Sequence, residues 1–291
     1  LDKWGIGNDV LRAKFPRLVH CRISGFGADG PRGGNPGYDA IIQAMTGMIA
    51  ATGSPESGPM RIGVPLVDIT TGLYAAIGIL MALSERQRSG KGQFLETTLY
   101  ETGLAIMHPH TANYFMHGKP PGLTGNEHPN LVPYAIFPTK TDNIFIGVGN
   151  DGTFRKLANE IGKPELGTDP RFARNKDRIA NRDALRAELA AVFSQHEAEP
   201  LCNRLLAAGL PAGPVQKIDQ ALTNPHTIHR GDIIAKDWYK GVASPVRLER
   251  TKPSLRRTPP KFSQHTAEVL GEFGYSKSEI ETLVAKGAVC G

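Results

Sequence analysis

The chain is predicted to be an α/β protein whose first part carries a parallel sheet and whose second part is a smaller unit. Three observations carry this. Residues 17–116 alternate strand, helix, strand, helix, the order a parallel sheet needs because its crossovers run through helices. After Gly118 that order breaks into a loop, then one strand followed by several short helices. The 291 residues are 40% hydrophobic and 21% charged, ordinary globular usage at a length that allows about two domains.

Taken in order, residues 8–14 form a short helix that stops before Phe15-Pro16, since a residue ahead of proline avoids the helical region. Arg17–Ser24 reads as a buried strand bounded by Pro and Gly. Gly25–Gly37 is a long loop with six glycines and two prolines. Residues 40–51 are apolar at helical spacing, and 52–63 are loop again. Val64–Val67 reads as a strand end leading into Asp68, and Ile69–Arg88 as one long helix closed by Gly90. Gln93–Thr98 is a strand, and Glu101–Met116 a helix interrupted at Pro109. Lys119–Pro133 is loop and Asn143–Gly149 a strand. Helices follow at 153–161, 182–193 and 198–208, the last stopped by Gly209 and Pro211. Two more lie at 267–273 and 277–286.

Several function classes fall away. The longest unbroken apolar stretch, Gly72–Leu83, has twelve residues, short of the roughly 20 of a membrane span, so no membrane partner is expected. The net charge of +6 suits a polyanionic ligand, and the basic segment 247–261 lacks the interleaved aromatics of a nucleic-acid surface, so no nucleic-acid partner is expected. Cys21, Cys202 and Cys290 are scattered, which fits a reducing, cytoplasmic setting. His108, His110, His117 and His128 are spaced too loosely for zinc, and no metal is expected. The chain opens on Leu1 without a signal-peptide pattern, and a preceding amino-terminal section is expected to be missing.

Gly25-Phe26-Gly27-Ala28-Asp29-Gly30 fits G-x-G-x-x-G after a strand, but Pro31 and Pro36 leave no room for the helix a dinucleotide fingerprint requires. The loop still offers backbone N–H groups and close approach to a ligand. Asp68 is the most informative acid: it stands at the head of a long apolar helix, where it reads either as an N-cap or as a carboxylate placed for chemistry. Asp39 opens a helix in the same way.

Seven motifs in order then resemble one family. They are Gly37-Tyr38-Asp39, Gly63–Gly72 around Asp68, Arg88–Gln93, and Gly125-Asn126-Glu127-His128-Pro129 with Pro133-Tyr134. Asp169-Pro170-Arg171-Phe172, Gly209–Val215 and His265–Leu270 complete the set. Each is weak alone; together they cover essentially the whole chain and resemble the family III coenzyme A transferases, the CaiB/BaiF-like family.

The resemblance implies a Rossmann-like parallel sheet domain with a smaller α+β domain, and an interlocked homodimer. On this chain it implies residues 1–120 as part of the large domain, 121–235 as the small domain with a glycine loop, and 236–291 as a segment returning to the large one. It makes Asp68 the catalytic nucleophile and Asp39 a second carboxylate that orients or tunes it. It assigns coenzyme A contacts to Lys3, Gly25, Phe26, Gly27 and Tyr38, and to Gly125, Asn126 and His128 of the glycine loop. Coenzyme A is then a substrate, with no permanently bound cofactor. Acyl-CoA racemases share the family fold, but Tyr38 stands where they resemble a histidine, and a phenol is a poor base near neutral pH. A chain that binds coenzyme A without turnover is the remaining alternative.

Overall fold

The structure is a computed structural model that describes residues 2–291. It divides into two compact units, Leu1–Pro214 and Val215–Gly291.

In the first unit, α1 (Asn8–Lys14) leads to β1 (His20–Ser24). The loop that follows closes on itself: a Cβ on Gly25 would lie 2.8 Å from Gly37 Cα, and one on Gly37 2.7 Å from Gly25 Cα. The two backbones touch, so only glycine fits at either place. No helix opens after Gly30; the next is α2 (Asp39–Met45), followed by α3 (Met48–Ala51). The single helix expected over 40–51 is split because Gly47 takes a left-handed φ of +86°. β2 (Gly53–Ser54) and β3 (Gly58–Pro59) make a small antiparallel turn. Then come α4 (Leu66–Ser89), β4 (Phe94–Thr98), α5 (Leu99–Ala105) and α6 (His110–His117). β4 pairs with β1 in parallel from His20↔Phe94 to Ser24↔Thr98, as a strand–helix–strand crossover requires. Ile42, Met48, Val67, Leu99 and Met107 form the buried apolar cluster here.

Two expectations are corrected around α4. Residues 60–65 form no strand, so Asp68 does not sit at a strand's carboxyl end. The helix starts at Leu66 rather than Ile69, because a turn of backbone bonds from Pro65 carries it there. The helix is also longer and more apolar than the twelve-residue count: its best 18-residue window has mean hydropathy 1.8 and is 22% buried. By length and composition it is long enough to cross a membrane, so excluding a span on the shorter run does not hold. Counting unbroken apolar residues missed the small polar Thr70, Thr71 and Ser84 that such a helix accommodates. One stripe, Val67, Thr71, Ala75 and Ala82, is buried; Ile69, Leu73, Ile77, Leu80 and Met81 are exposed.

Farther along, β5 (Tyr134–Pro138), β6 (Asn143–Gly147) and β7 (Ala212–Pro214) form an antiparallel sheet in that order. β5 and β7 are not expected from the sequence: β7 has three residues, and β5 ends on a proline with no glycine in the turn to β6 to mark a hairpin. α7 (Asp151–Glu160), α8 (Asn175–Ala180), α9 (Arg182–Phe193) and α10 (Ala198–Ala207) belong to the same region. Its core includes Phe137, Ile144, Phe154, Phe172, Leu189 and Phe193, each 2% exposed or less. Arg178, fully buried, donates to Phe172 O (2.9 Å), Val132 O and Asp151 Oδ1 (2.9 Å).

The second unit comprises α11 (Ile218–Thr223), α12 (Pro225–Arg230), the antiparallel hairpin β8 (Ile233–Lys236) and β9 (Tyr239–Val242), α13 (Thr266–Glu272) and α14 (Lys277–Ala285). Among the described residues none of this unit is fully buried. Its basic segment is irregular, with Arg247 paired to Asp232 at 2.6 Å.

Candidate functional site

Asp68 is the third residue of α4 and is exposed. It does not cap its own helix; the N-cap position is Pro65, which has no side-chain bond. The cap comes from Asp39, 29 residues before Asp68. Asp39 is 7% exposed, and its Oδ2 accepts the N–H groups of Val67 (2.8 Å) and Asp68 (3.2 Å). Its Oδ1 accepts from Gln43 Nε2 at 2.6 Å, and Gln43 Oε1 accepts the Ile62 N–H at 2.9 Å. All of Asp39's bonds are accepted, the pattern an ionised carboxylate makes. Partial burial and, after it, the negative charge of Asp39 push the Asp68 pKa above the ordinary aspartate value. A carboxylate that holds protons more tightly is also the better nucleophile.

The first-turn amides of α4 are therefore all engaged: Leu66 N–H on Val64 O, Ile69 N–H on Pro65 O, and the two between on Asp39. A helix N-terminus is ordinarily an anion site, but this one has no free donor to offer a substrate oxyanion.

The glycine loop is held at several points. Gly125 N–H donates to Gly53 O (2.7 Å), Glu127 N–H to Thr124 O (3.1 Å) and His128 N–H to Tyr134 O (3.0 Å). Glu127 pairs with Arg182 at 2.7 Å and with Arg186 of the next helical turn. The Asn126 N–H, between these anchored neighbours, meets no acceptor among the described residues. His128 Nδ1 accepts the Asn130 N–H at 3.0 Å, and its ring packs on Tyr134 at 5.2 Å. Burial first, then His110 and Arg182, lower its pKa. A cavity of about 670 Å³ is lined by Ser54, Gly125, Asn126, Glu127, Arg182 and Arg186 among others; neither Asp68 nor Asp39 lines it.

The remaining residues singled out from the sequence fall elsewhere. Gly25 forms the neck of its loop, and Phe26 is packed on the Tyr100 ring at 5.8 Å beside the apolar cluster. Gly27 N–H is taken by Ser24 Oγ (3.0 Å) and its carbonyl by Gly34 N–H (2.9 Å), so this loop has fewer free donors than its glycines suggest. Tyr38 is 76% exposed and adjoins Asp39. Lys3 is exposed, its ammonium 5.0 Å from the Trp4 ring centroid. Among the described residues no group of three or more His, Cys, Asp or Glu could hold a metal ion.

Sequence reasoning does not single out Gln43, Arg182 and Arg186, and it takes in Glu127 only as part of the glycine-loop motif, with no role of its own. Asp39 and Gln43 stand four apart, as do Arg182 and Arg186, so each pair shares a helix face; that spacing was a readable signal. The bonds from Asp39 to α4 and from Glu127 to α9 span 28 to 59 residues and leave no local trace.

The family model for CoA-transferase family III matches residues 1–266. The chain belongs to CoA-transferase family III. The succinate–glutarate CoA-transferase of Agrobacterium fabrum is 36% identical over 277 residues, covering 94% of this chain and 69% of its own. The acetyl-CoA:oxalate CoA-transferase of Acetobacter aceti is 35% identical over 275 residues, covering 94% and 71%. A crystal structure of a CaiB/BaiF family protein from Brucella suis matches with a TM-score of 0.79 and 38% identity, over 94% of this chain and 72% of that one. The α/β fold and the assignment as a CoA-transferase read from the seven motifs are borne out.

Proposed function

We propose that this family III transferase moves coenzyme A from an acyl-CoA thioester to a free carboxylic acid with Asp68 as the covalent nucleophile. The observation that carries this reading is the Asp68 carboxylate itself: exposed, at the first turn of α4, with its proton affinity raised and its backbone held by Asp39. The Asp68 carboxylate attacks the thioester carbonyl, forming a mixed anhydride and releasing the CoA thiolate. The thiolate attacks the aspartyl carbonyl, giving an aspartyl–CoA thioester and freeing the first acid. The acceptor carboxylate attacks that thioester, forming a second anhydride and the thiolate again. The thiolate then takes the new acyl group, and the Asp68 carboxylate is regenerated. Splitting the exchange in this way keeps the thioester's energy from water.

Each tetrahedral intermediate needs an oxyanion donor. Since the amides of α4 are engaged, that role falls in this reading to the glycine loop, whose Asn126 N–H is unengaged. A dicarboxylate such as succinate is the proposed donor acid, in line with relatives that are succinate–glutarate and succinyl-CoA–D-citramalate CoA-transferases. The chain is proposed to work as a homodimer in the cytoplasm.

The test is trapping. Incubation with an acyl-CoA and borohydride or hydroxylamine is expected to modify Asp68, and Asp68→Ala is expected to lower exchange more than tenfold while binding coenzyme A within several-fold. A label mapping to Cys21, Cys202 or Cys290 would move the covalent step to a thiol. Rapid α-deuterium wash-in on a 2-methylacyl-CoA without carboxylate exchange would favour the racemase chemistry instead.

A further inference from the structure

We propose that Gln43 is a positioning residue for the nucleophile: its carboxamide orients Asp39 and ties the segment entering α4 to the first turn that carries Asp68. This rests on the reading of Asp68 as nucleophile. Gln43 is fully buried on α2, one turn beyond Asp39. Its two ends face partners of opposite kind. Nε2 meets the Asp39 Oδ1, which only accepts, and Oε1 meets the Ile62 N–H, which only donates. The amide therefore has one workable orientation, and glutamine is the side chain of this length that satisfies both.

The bonds form a ring. From the Ile62 N–H the path runs through Gln43 to Asp39, from Asp39 to the Val67 and Asp68 N–H groups, and back along residues 62–68. A seven-residue stretch is thus held at both ends by two side chains of a single helix. Without the Gln43 donor, Asp39 Oδ1 has no other partner among the described residues and the carboxyl can turn about its own bond. The cap on α4 then loosens, and the Asp68 side chain shifts with the turn that carries it. The charged groups at this ring are Asp39 on α2, Asp68 on α4, and Arg61, whose guanidinium donates to the Ile62 carbonyl at 3.1 Å.

The experiment compares Gln43→Met, Gln43→Glu and Asp68→Asn in the purified protein, reading kcat and KM for carboxylate exchange, the pH profile and the melting temperature. Gln43→Met keeps the length and removes both bonds; kcat is expected to fall about 10–100-fold with KM for the thioester within about threefold. Gln43→Glu still accepts from Ile62 but sets a second carboxylate against Asp39. Its deficit relative to the unaltered protein is expected to narrow as pH falls, because the introduced carboxyl can donate to Asp39 once protonated. Read per folded molecule, a merely structural role would not give that narrowing, because relief of the repulsion would then restore only the amount of folded protein. Unchanged kcat in Gln43→Met, or a loss fully explained by less folded protein with a Gln43→Glu profile parallel to the unaltered one, overturns the proposal. The two failures read differently. Exchange surviving in Asp68→Asn removes the nucleophile, whereas exchange lost there but unmoved in Gln43→Met removes only the role of Gln43.

Discussion

Residues 132–210 and residues 42–107 hold their shape by different means. In the first stretch twenty buried side chains close one apolar core, with Phe137 and Phe193 edge to face at 5.2 Å. In the second only five side chains make up the buried apolar cluster, and α4 leaves Ile69, Leu73, Ile77, Leu80 and Met81 exposed. What fixes the head of α4 is a set of directional bonds through Asp39 and Gln43. Close packing is strong but encloses whatever it holds. Hydrogen bonds to the backbone can fix a helix end while leaving a neighbouring carboxylate open to solvent, which is what a nucleophile at Asp68 needs.

The contrast can be broken by mutation. Phe154→Ala, in the packed region, is expected to cost about 3–5 kcal/mol in urea unfolding, with exchange per folded molecule unchanged. A cost below about 1 kcal/mol would mean the core collapses around the gap and the contrast is overstated. Gly37→Ala tests the loop neck; its new Cβ meets the Gly25 backbone at 2.7 Å, and a loss of about 1–3 kcal/mol is expected in thermal melts. Asp39→Asn sharpens the comparison from the other side. Its amide can keep the α4 cap or face Gln43, and turning Gln43 to match would set an NH2 against the Ile62 N–H. Stability is expected to fall by only about 1 kcal/mol, as for a lost cap, while kcat falls at least about tenfold. An equal fall in the Phe154 variant's kcat per folded molecule would erase the distinction.

The smallest effect concerns pH. Burial and the Asp39 charge raise the Asp68 pKa, so the Asp68 anion, the proposed nucleophile, is lost on acidification at a higher pH than an ordinary aspartate would lose it. Exchange should fall as pH drops through that value and be flat above it. In Asp39→Asn one of the two causes is gone, and the acid limb should move to lower pH. A limb that stays put in the pH dependence of kcat would show that burial alone sets it.

Much of this was readable along the chain. The parallel pairing of β1 with β4, the length of α4 to within three residues at its start, and the helices at 182–193 and 198–207 follow from periodicity and stop signals. The seven motifs led to the family. Distant partnerships were not readable. Asp68 looked like a cap because an acid at a helix head commonly is one; that the cap is Asp39 depends on α2 folding against α4. The glycines of residues 25–37 suggested open donors, but turn bonds within the loop use several of them. β7 has three residues, too few to show a period of two, and β5, though as long as β6 and alternately buried, has no charged or amide side chain in Tyr-Ala-Ile-Phe-Pro to mark its outer face.

The neck at Gly25 and Gly37 has a consequence for how this protein can vary. The eleven-residue excursion between them leaves and returns at one point, so β1 and α2 meet whether it is long or short. Closure entropy grows only slowly with loop length. An insertion at its outer turn, near Arg32, is expected to disturb only the local turn bonds of Gly33 and Asn35 and to leave the approach of Asp39 to α4 unaltered. The excursion is therefore the place where a foreign segment is expected to be tolerated, with the melting temperature and α4 undisturbed, while a side chain at either glycine of the neck is not.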